Sequence, residues 1–477
     1  MINNTVIIWI LIPVALSGIL ALLQRFAKLS TAIVLVSSAL LTVLAFILPE
    51  DLILSIGSRQ IAFADSLEIF GRVLKITKAN LSLVGGIYLC VFLWNSLARK
   101  LETSQWFNAL SLLIAALWIS ALAVQPFLYA SVIILLVAVV SIPLLSPRGS
   151  RSGAGVLRYV TLQAIAMPLI LLSAWMLSDI ETAPSASALI LRATVLILGG
   201  FAIWLALFPV HTWLPMVGQE SHPWTLSFLL VVMQSSLTVF FIYFFEEYAW
   251  LRNLPNIWEI LRWAGIGTIF IASLLLSFQN QIRRLLAYFY LWETGYALLA
   301  IGLAQDGGLH YLPLIFMPRI LGYAGLSYII VKLEHLEPDF DGNINNLKGF
   351  FHRYPFLSLG LISTLLSLSG LPILASFPAK RHLINLLPWS GYGMETWLIL
   401  GFVGALIMTF RIIYALVSPS EEEQAIAMLA PQKEDIGIAV FCTALMLLFL
   451  ISGFFPSIFS GLFKGILAPF ENIYLFN

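Results

Sequence analysis

Charge is scarce in this chain. Only 10% of its 477 residues are Asp, Glu, Lys or Arg, where a soluble domain carries roughly 25%. The net charge of +1 offers no basic surface to nucleic acid and no acidic surface to a basic partner. Cysteine is scarcer still. Cys90 and Cys442 are the only two, each in an apolar run without a CxxC spacing or a neighbouring His, so they are expected to be packing residues rather than part of a disulfide framework or an iron–sulfur set. No nucleotide-binding glycine loop, flavin motif or haem-ligand pattern is present. Two local gaps matter later: there is no lysine between Lys100 and Lys332, and no acidic residue between Glu102 and Asp179.

What fills the chain is apolar. With 60% hydrophobic residues and a mean hydropathy of +0.96, the composition implies an all-α polytopic membrane protein, since a spanning segment must satisfy its backbone internally. Windows of about twenty apolar residues place spans at 5–23, 29–48, 78–98, 105–124, 127–146, 156–178 and 187–215. Further windows fall at 224–244, 262–278, 283–304, 311–333, 355–380, 396–418 and 436–456, about fourteen in all. The first lacks a basic leader and a small-residue cleavage site, so it is expected to be retained. Between the second and third spans, short alternating runs around Gly57 and Ser58 predict a β-hairpin on the membrane face, the only strand signal in the chain.

Loop charge predicts the orientation. Arg25, Lys28, Arg99, Lys100, Arg148, Arg151, Arg158, Arg283 and Arg284 fall in odd-numbered loops, whereas Asp179, Glu181, Glu246, Glu247 and Asp306 fall in even ones. Odd loops are then cytoplasmic, with both termini and the hairpin on the outer side.

Two spans are interrupted. The seventh runs into FPVHTWLP, where Pro209 removes a backbone bond beside His211, and the loop beyond carries Glu220 and His222. Broken helices beside ionisable groups are tolerated where protein or a wet cavity surrounds them, which marks an ion path; the competing reading puts His211 among the headgroups. The twelfth, PFLSLGLISTLLSLSGLPILASFPAK, is broken by Gly370, Pro372 and Pro378 just before Lys380. Breaks at matching places in two halves predict inverted repeats. The expected organisation is 1–104 for spans one to three with the hairpin segment, 105–250 and 255–420 for the two repeats, and 421–477 for the last span and tail.

The segments FPVHTWLP (208–215), RRLLAYFYLWETGY (283–296) and NLKGFFHRYPFLSLGLISTLLSLSGLPILASFPAK (346–380) resemble the antiporter-like, proton-translocating membrane subunits of NADH:quinone oxidoreductase, complex I. Subunits of Mrp-type cation/proton antiporters and membrane-bound hydrogenases belong to the same family. The resemblance implies fourteen helices, outer-side termini, a bacterial inner-membrane location, other membrane subunits as partners, and no cofactor or metal of the chain's own. Redox chemistry would belong to the partners. It also implies that the long lateral helix of the family's largest subunit is missing.

Such subunits are expected to work through buried ionisable groups: a glutamate in span five, lysines in spans seven and eight, and a lysine or glutamate at the break in span twelve. Here those positions fall near Ile133, on Trp204, within Gln234, Ser235 and Ser236, and on Lys380. Only the last can hold a proton near neutral pH. In span eleven, where relatives often carry histidine, the chain has Arg319 and Tyr323. The candidate proton path is therefore Lys380 with Lys332, Glu293, His211, Arg319 and Arg411, although Glu293 with Arg319 could be one structural ion pair and Lys380 a snorkelling helix-end lysine. Three functions stay open: a proton-translocating subunit of a complex I-like machine, a degenerate subunit kept for its fold, and an independent transporter, the last disfavoured because no substrate-sized polar cluster is visible.

Overall fold

A computed structural model describes residues 6–47, 53–56, 59–62, 66–69, 71–76, 78–146, 153–182, 187–387, 393–419 and 434–458, together with 465, 470 and 473. Of the predicted loop groups, Gly57, Ser58, Arg148 and Arg151 lie outside these. The helices in chain order are α1 (Ile12–Leu22, preceded by one π-turn), α2 (Ala27–Ile47), α3 (Lys78–Ala98), α4 (Phe107–Ala123), α5 (Ala130–Leu145), α6 (Ala154–Thr182), α7 (Ser187–Trp204), α8 (Trp213–Glu220) and α9 (Pro223–Glu247). They continue as α10 (Ala249–Arg252), α11 (Ile257–Ser277), α12 (Ile282–Gly302), α13 (Leu312–Leu336), α14 (Phe350–Arg353), α15 (Pro355–Ser369), α16 (Phe377–Asn385), α17 (Met394–Val417) and α18 (Ile436–Phe454).

Among the described residues, 11 helices are long and apolar enough to cross a membrane, and three shorter helices, Phe107–Ala123, Leu189–Trp204 and Pro355–Ser369, are also apolar in character. Together they occupy every predicted span. Two of the short ones, α7 and α15, are short for one reason: each is the first half of a broken helix whose second half is α8 or α16. The chain is an all-α polytopic membrane protein.

The strands exceed expectation. β1 (Ile53–Ile56) pairs antiparallel with β2 (Arg59–Ala62), Ile53 opposite Ala62, and a second hairpin joins β3 (Ser66–Ile69) to β4 (Arg72–Lys75). A further strand, β5 (Val124–Gln125), adds to β4 with Leu74 opposite Val124. The sequence expectation of a single strand signal is corrected here: two residues are too few to show the alternation by which a strand is read.

The chain divides into two compact units. The first holds Met1–Trp213, Phe228–Pro255 and Phe463–Leu475, and the second holds Leu214–Ser227, Asn256–Leu462 and the last two residues. In the first unit α1 packs on α4, α2 on α3, and α6 on α7. In the second, α11 lies between α12 and α17, and α15 contacts α13, α17 and α18. The α11–α12 crossing is close because it is made by glycines: a Cβ on Gly265 would lie 2.7 Å from the Leu299 nitrogen. α12 is buried along its whole apolar length, so any polar group on it faces protein.

Charged side chains close helix ends in the second unit. Arg283 Nε lies 2.5 Å from Glu334 Oε1, and Arg284 Nε donates to Gln219 Oε1 at 2.7 Å. Glu434 reaches the N-terminus of α15, accepting from the Phe356 and Leu357 N–H groups at 2.9 and 3.2 Å and satisfying donors that no helical carbonyl can reach. Burial raises its carboxyl above the ordinary carboxylate value, against the two N–H bonds that lower it.

Candidate functional site

The site forms where α15 ends. Gly370 adopts φ +81° as the left-handed residue that closes the helix, with Gly370 N–H donating to Ser367 O at 3.0 Å and Leu371 N–H to Leu366 O at 3.1 Å. Pro372 follows, Ile373 takes a second positive φ of 77°, and α16 restarts with Pro378 in its first turn, where a proline lacks only a bond the helix would not make.

Lys380 is the fourth residue of that restart and points back. Its Nζ donates to Leu368 O at 2.6 Å and lies 2.8 Å from Glu293 Oε1 on α12. The pair is almost wholly inside: the two side chains are 5% and 2% exposed. The ammonium also lies 5.4 Å from the Trp292 ring centroid and 4.8 Å from that of Tyr296, within cation–π range. Gly370 is required twice, for its φ and because a Cβ there would come within 2.7 Å of Lys380 Cδ.

Arg319 of α13 completes the cluster. It is 0% exposed; its Nη2 is 3.5 Å from the Glu293 main-chain oxygen, and its guanidinium carbon is 5.3 Å from the Phe316 centroid. The carboxylate of Glu293 therefore meets Lys380 rather than Arg319. Two basic side chains share one acid.

The other candidates lie elsewhere. Lys332 is half-buried near the C-terminal end of α13, about 20 Å along the axis from Arg319 at 1.5 Å per residue. Arg411 of α17 donates to Ser277 O at 2.5 Å and Asn280 Oδ1 at 2.8 Å, closing the C-terminus of α11. His211 is half-buried past the first break, its ring 5.8 Å from that of Phe208.

The first break repeats the backbone of the second. α7 ends at Trp204, before Pro209; Ala206 takes φ +55°, and Leu207 N–H donates to Ala202 O at 2.8 Å. What packs there differs. Trp204 is 0% exposed, lies edge-on to Phe201 at 5.3 Å and tilted to Phe240 at 6.2 Å, and its indole N–H has no hydrogen-bond partner among the described residues. On α9, Gln234 and Ser236 are buried and Ser235 is half-buried; Ile133 is half-buried on α5.

Sequence reasoning missed Tyr296 and Trp292 as walls of the Lys380 site. The spacing held a clue for one of them: Tyr296 stands three residues beyond Glu293, on the same helix face.

Residues 98–409 match the family described as NADH:quinone oxidoreductase/Mrp antiporter, TM. The chain is 29% identical over 243 residues to NAD(P)H-quinone oxidoreductase subunit 2 of Synechococcus sp., covering 50% of this chain and 45% of that protein. It is 28% identical over 274 residues to NADH-quinone oxidoreductase subunit N of Pelagibacter ubique, covering 55% of each. It thus spans about half the length of the curated relatives it matches. Among solved structures, a chain of the membrane-bound sulfane sulfur reductase, an archaeal respiratory membrane complex, is similar with a TM-score of 0.79 at 17% identity over 98% of both chains, a likeness of fold.

Proposed function

This chain belongs to the NADH:quinone oxidoreductase/Mrp antiporter transmembrane family, and from that premise we infer that it is an antiporter-like membrane-arm subunit of a complex I-like quinone oxidoreductase, moving protons through its second half alone. The observation that carries the reading is the buried Lys380–Glu293 pair at one helix break, against Trp204 at the other. Quinone oxidoreductase names among the curated relatives favour that host over an Mrp-type antiporter or a hydrogenase.

Lys380 and Glu293 do the work. An amine and a carboxylate 2.8 Å apart can exchange a proton without moving a backbone atom. Inside protein, Coulomb energies are several-fold larger than in water. A charge arriving beside the pair therefore decides which partner is protonated. Arg319 takes no proton in this scheme, because a guanidinium stays charged; it supplies a fixed positive charge. Leu368 O and the two aromatic rings hold the ammonium in place. The first break has no equivalent among the described residues: an indole neither binds nor releases a proton, and it fills volume that water would need. The apolar side chains exposed on α17, Ile399, Val403 and Phe410 among them, suit lipid or neighbouring membrane subunits. Redox centres belong to those partners, and odd-numbered loops face the cytoplasm.

Proton uptake by vesicles holding the assembled complex tests this. Lys380→Ala should remove the share of pumping attributable to this subunit, while Gln234→Ala leaves it intact. The reverse result would mean that the first half is active. The aromatic filling around Trp204 also favours a second reading, a subunit that conducts nothing, and under that reading neither variant changes uptake.

A further inference from the structure

We propose that the interior between α12 and α13 holds a small inorganic anion, a halide such as chloride, bound by Arg319 with the hydroxyl of Tyr323. The inference does not rest on the proton route. It starts from an imbalance of hydrogen-bonding groups and of charge in one buried place.

Arg319 and Tyr323 stand four residues apart on one face of α13, and Glu293 and Tyr296 three apart on one face of α12. Arg319 Nη2 comes within 3.5 Å of the Glu293 main-chain oxygen, so the two faces meet. Yet among the described residues Arg319 Nε and Nη1, Tyr323 OH, Tyr296 OH and Trp292 Nε1 have no hydrogen-bond partner. Every one of these groups can donate. Acceptors are what the cluster is short of: against these donors stands Glu293 Oε1, which has no hydrogen bond of its own among the described residues but lies 2.8 Å from the Lys380 ammonium, while the Glu293 main-chain oxygen, already inside the ladder of α12, is approached by Arg319 Nη2. Buried polar groups in folded proteins almost always find partners, so the missing species is an acceptor.

Charge says which kind. With Lys380 and Arg319 protonated and Glu293 ionised, the cluster carries one uncompensated positive charge, the situation that burial penalises most. A water molecule would accept two donors but leave that charge in place and bring two hydrogens needing acceptors of their own. A monoatomic anion accepts from several donors at once, brings none, and closes the charge count. Arg319 at 0% exposure favours a small ion over a carboxylate or phosphate ester.

The test uses the complex that contains this chain, purified in mild detergent in potassium gluconate. Equilibrium binding of radiolabelled chloride and thermal unfolding in gluconate, chloride and bromide at matched ionic strength are compared for the parent, Arg319→Met and Tyr323→Phe. Ligand bound only by the folded state raises its melting temperature, so the parent should gain a halide-dependent shift and a saturable chloride component. Arg319→Met should lose both, and Tyr323→Phe, which keeps every charge and deletes one donor, should weaken both. If Arg319→Met fails to assemble, Tyr323→Phe decides alone. A parent that behaves identically in gluconate and chloride, or a Tyr323→Phe protein that binds chloride as the parent does, overturns the proposal.

Discussion

The two broken helices end in the same backbone turn and differ in what fills it. After α7 and after α15 a left-handed residue, Ala206 in one and Gly370 in the other, lets the next N–H reach five residues back. At the first turn the neighbouring volume is taken by Trp204, Phe201 and Phe240; at the second, by Lys380, Glu293 and Arg319. A break can therefore be kept as architecture without being kept as chemistry. The motif that shapes the chain and the groups that hold protons are separable, and this chain separates them.

The strongest way to break the comparison is to disturb the charge count. Glu293→Gln leaves two buried cations and no acid, and removal of one partner from a buried pair costs about 3–5 kcal/mol. Lys380→Met leaves one cation beside one carboxylate and should cost clearly less. Thermal unfolding of the assembled complex measures both, and equal losses would show that net charge does not govern the cluster.

Making the first half resemble the second should also be costly. Trp204→Lys alone puts a cation into an aromatic interior, a penalty of about 3 kcal/mol at membrane depth. Adding Ile133→Glu should recover part of it if the family's two positions can meet. Yield of assembled complex and unfolding temperature report the recovery, and a double variant worse than the single one would rule that pairing out.

The smallest effects sharpen the comparison at the turns themselves. Gly370→Ala forces a side chain into a left-handed conformation, at about 1–2 kcal/mol, and pushes a Cβ against Lys380. Ala206→Gly relieves the same strain while adding backbone freedom, and the balance should stay within about 1 kcal/mol. Comparable unfolding temperatures for the two would mean that Gly370 is not positioning Lys380.

Much of this was legible. Spans are written as apolar runs because the bilayer permits little else, and each predicted one is occupied by a helix. Lys380 stood out because a lysine at a Gly-Pro break has few bland explanations. Pairing was not legible. Glu293 and Lys380 are far apart in sequence, and nothing local says that the acid turns to Lys380 and not to Arg319. Arg411 looked like a relay group from its place in an apolar span, but its fork serves the carbonyl end of α11, a role fixed only by packing. The early end of α7 was hidden as well: Pro209 announces the break, whereas Ala206 makes it, and alanine carries no turn signal. Nor does sequence order reveal that Leu214–Ser227 packs with the second unit.

Helix α15 is held at both ends by residues distant in the chain. Glu434, negative when ionised, sits on its N-terminal donors, and Lys380 sits on a C-terminal carbonyl, so each charge matches the sign of the helix dipole beside it. Fifteen residues make a rod of roughly 22 Å, with its peptide dipoles aligned between an acid at one face of the protein and an amine deep within it. Such a rod is an electrical strut. Discharging either end forfeits about 0.3–1 kcal/mol of stabilisation at that terminus. Burial holds the Glu434 carboxyl above the usual carboxylate range, so mild acid neutralises it and loosens the N-terminal end of α15 while the Lys380 end stays fastened.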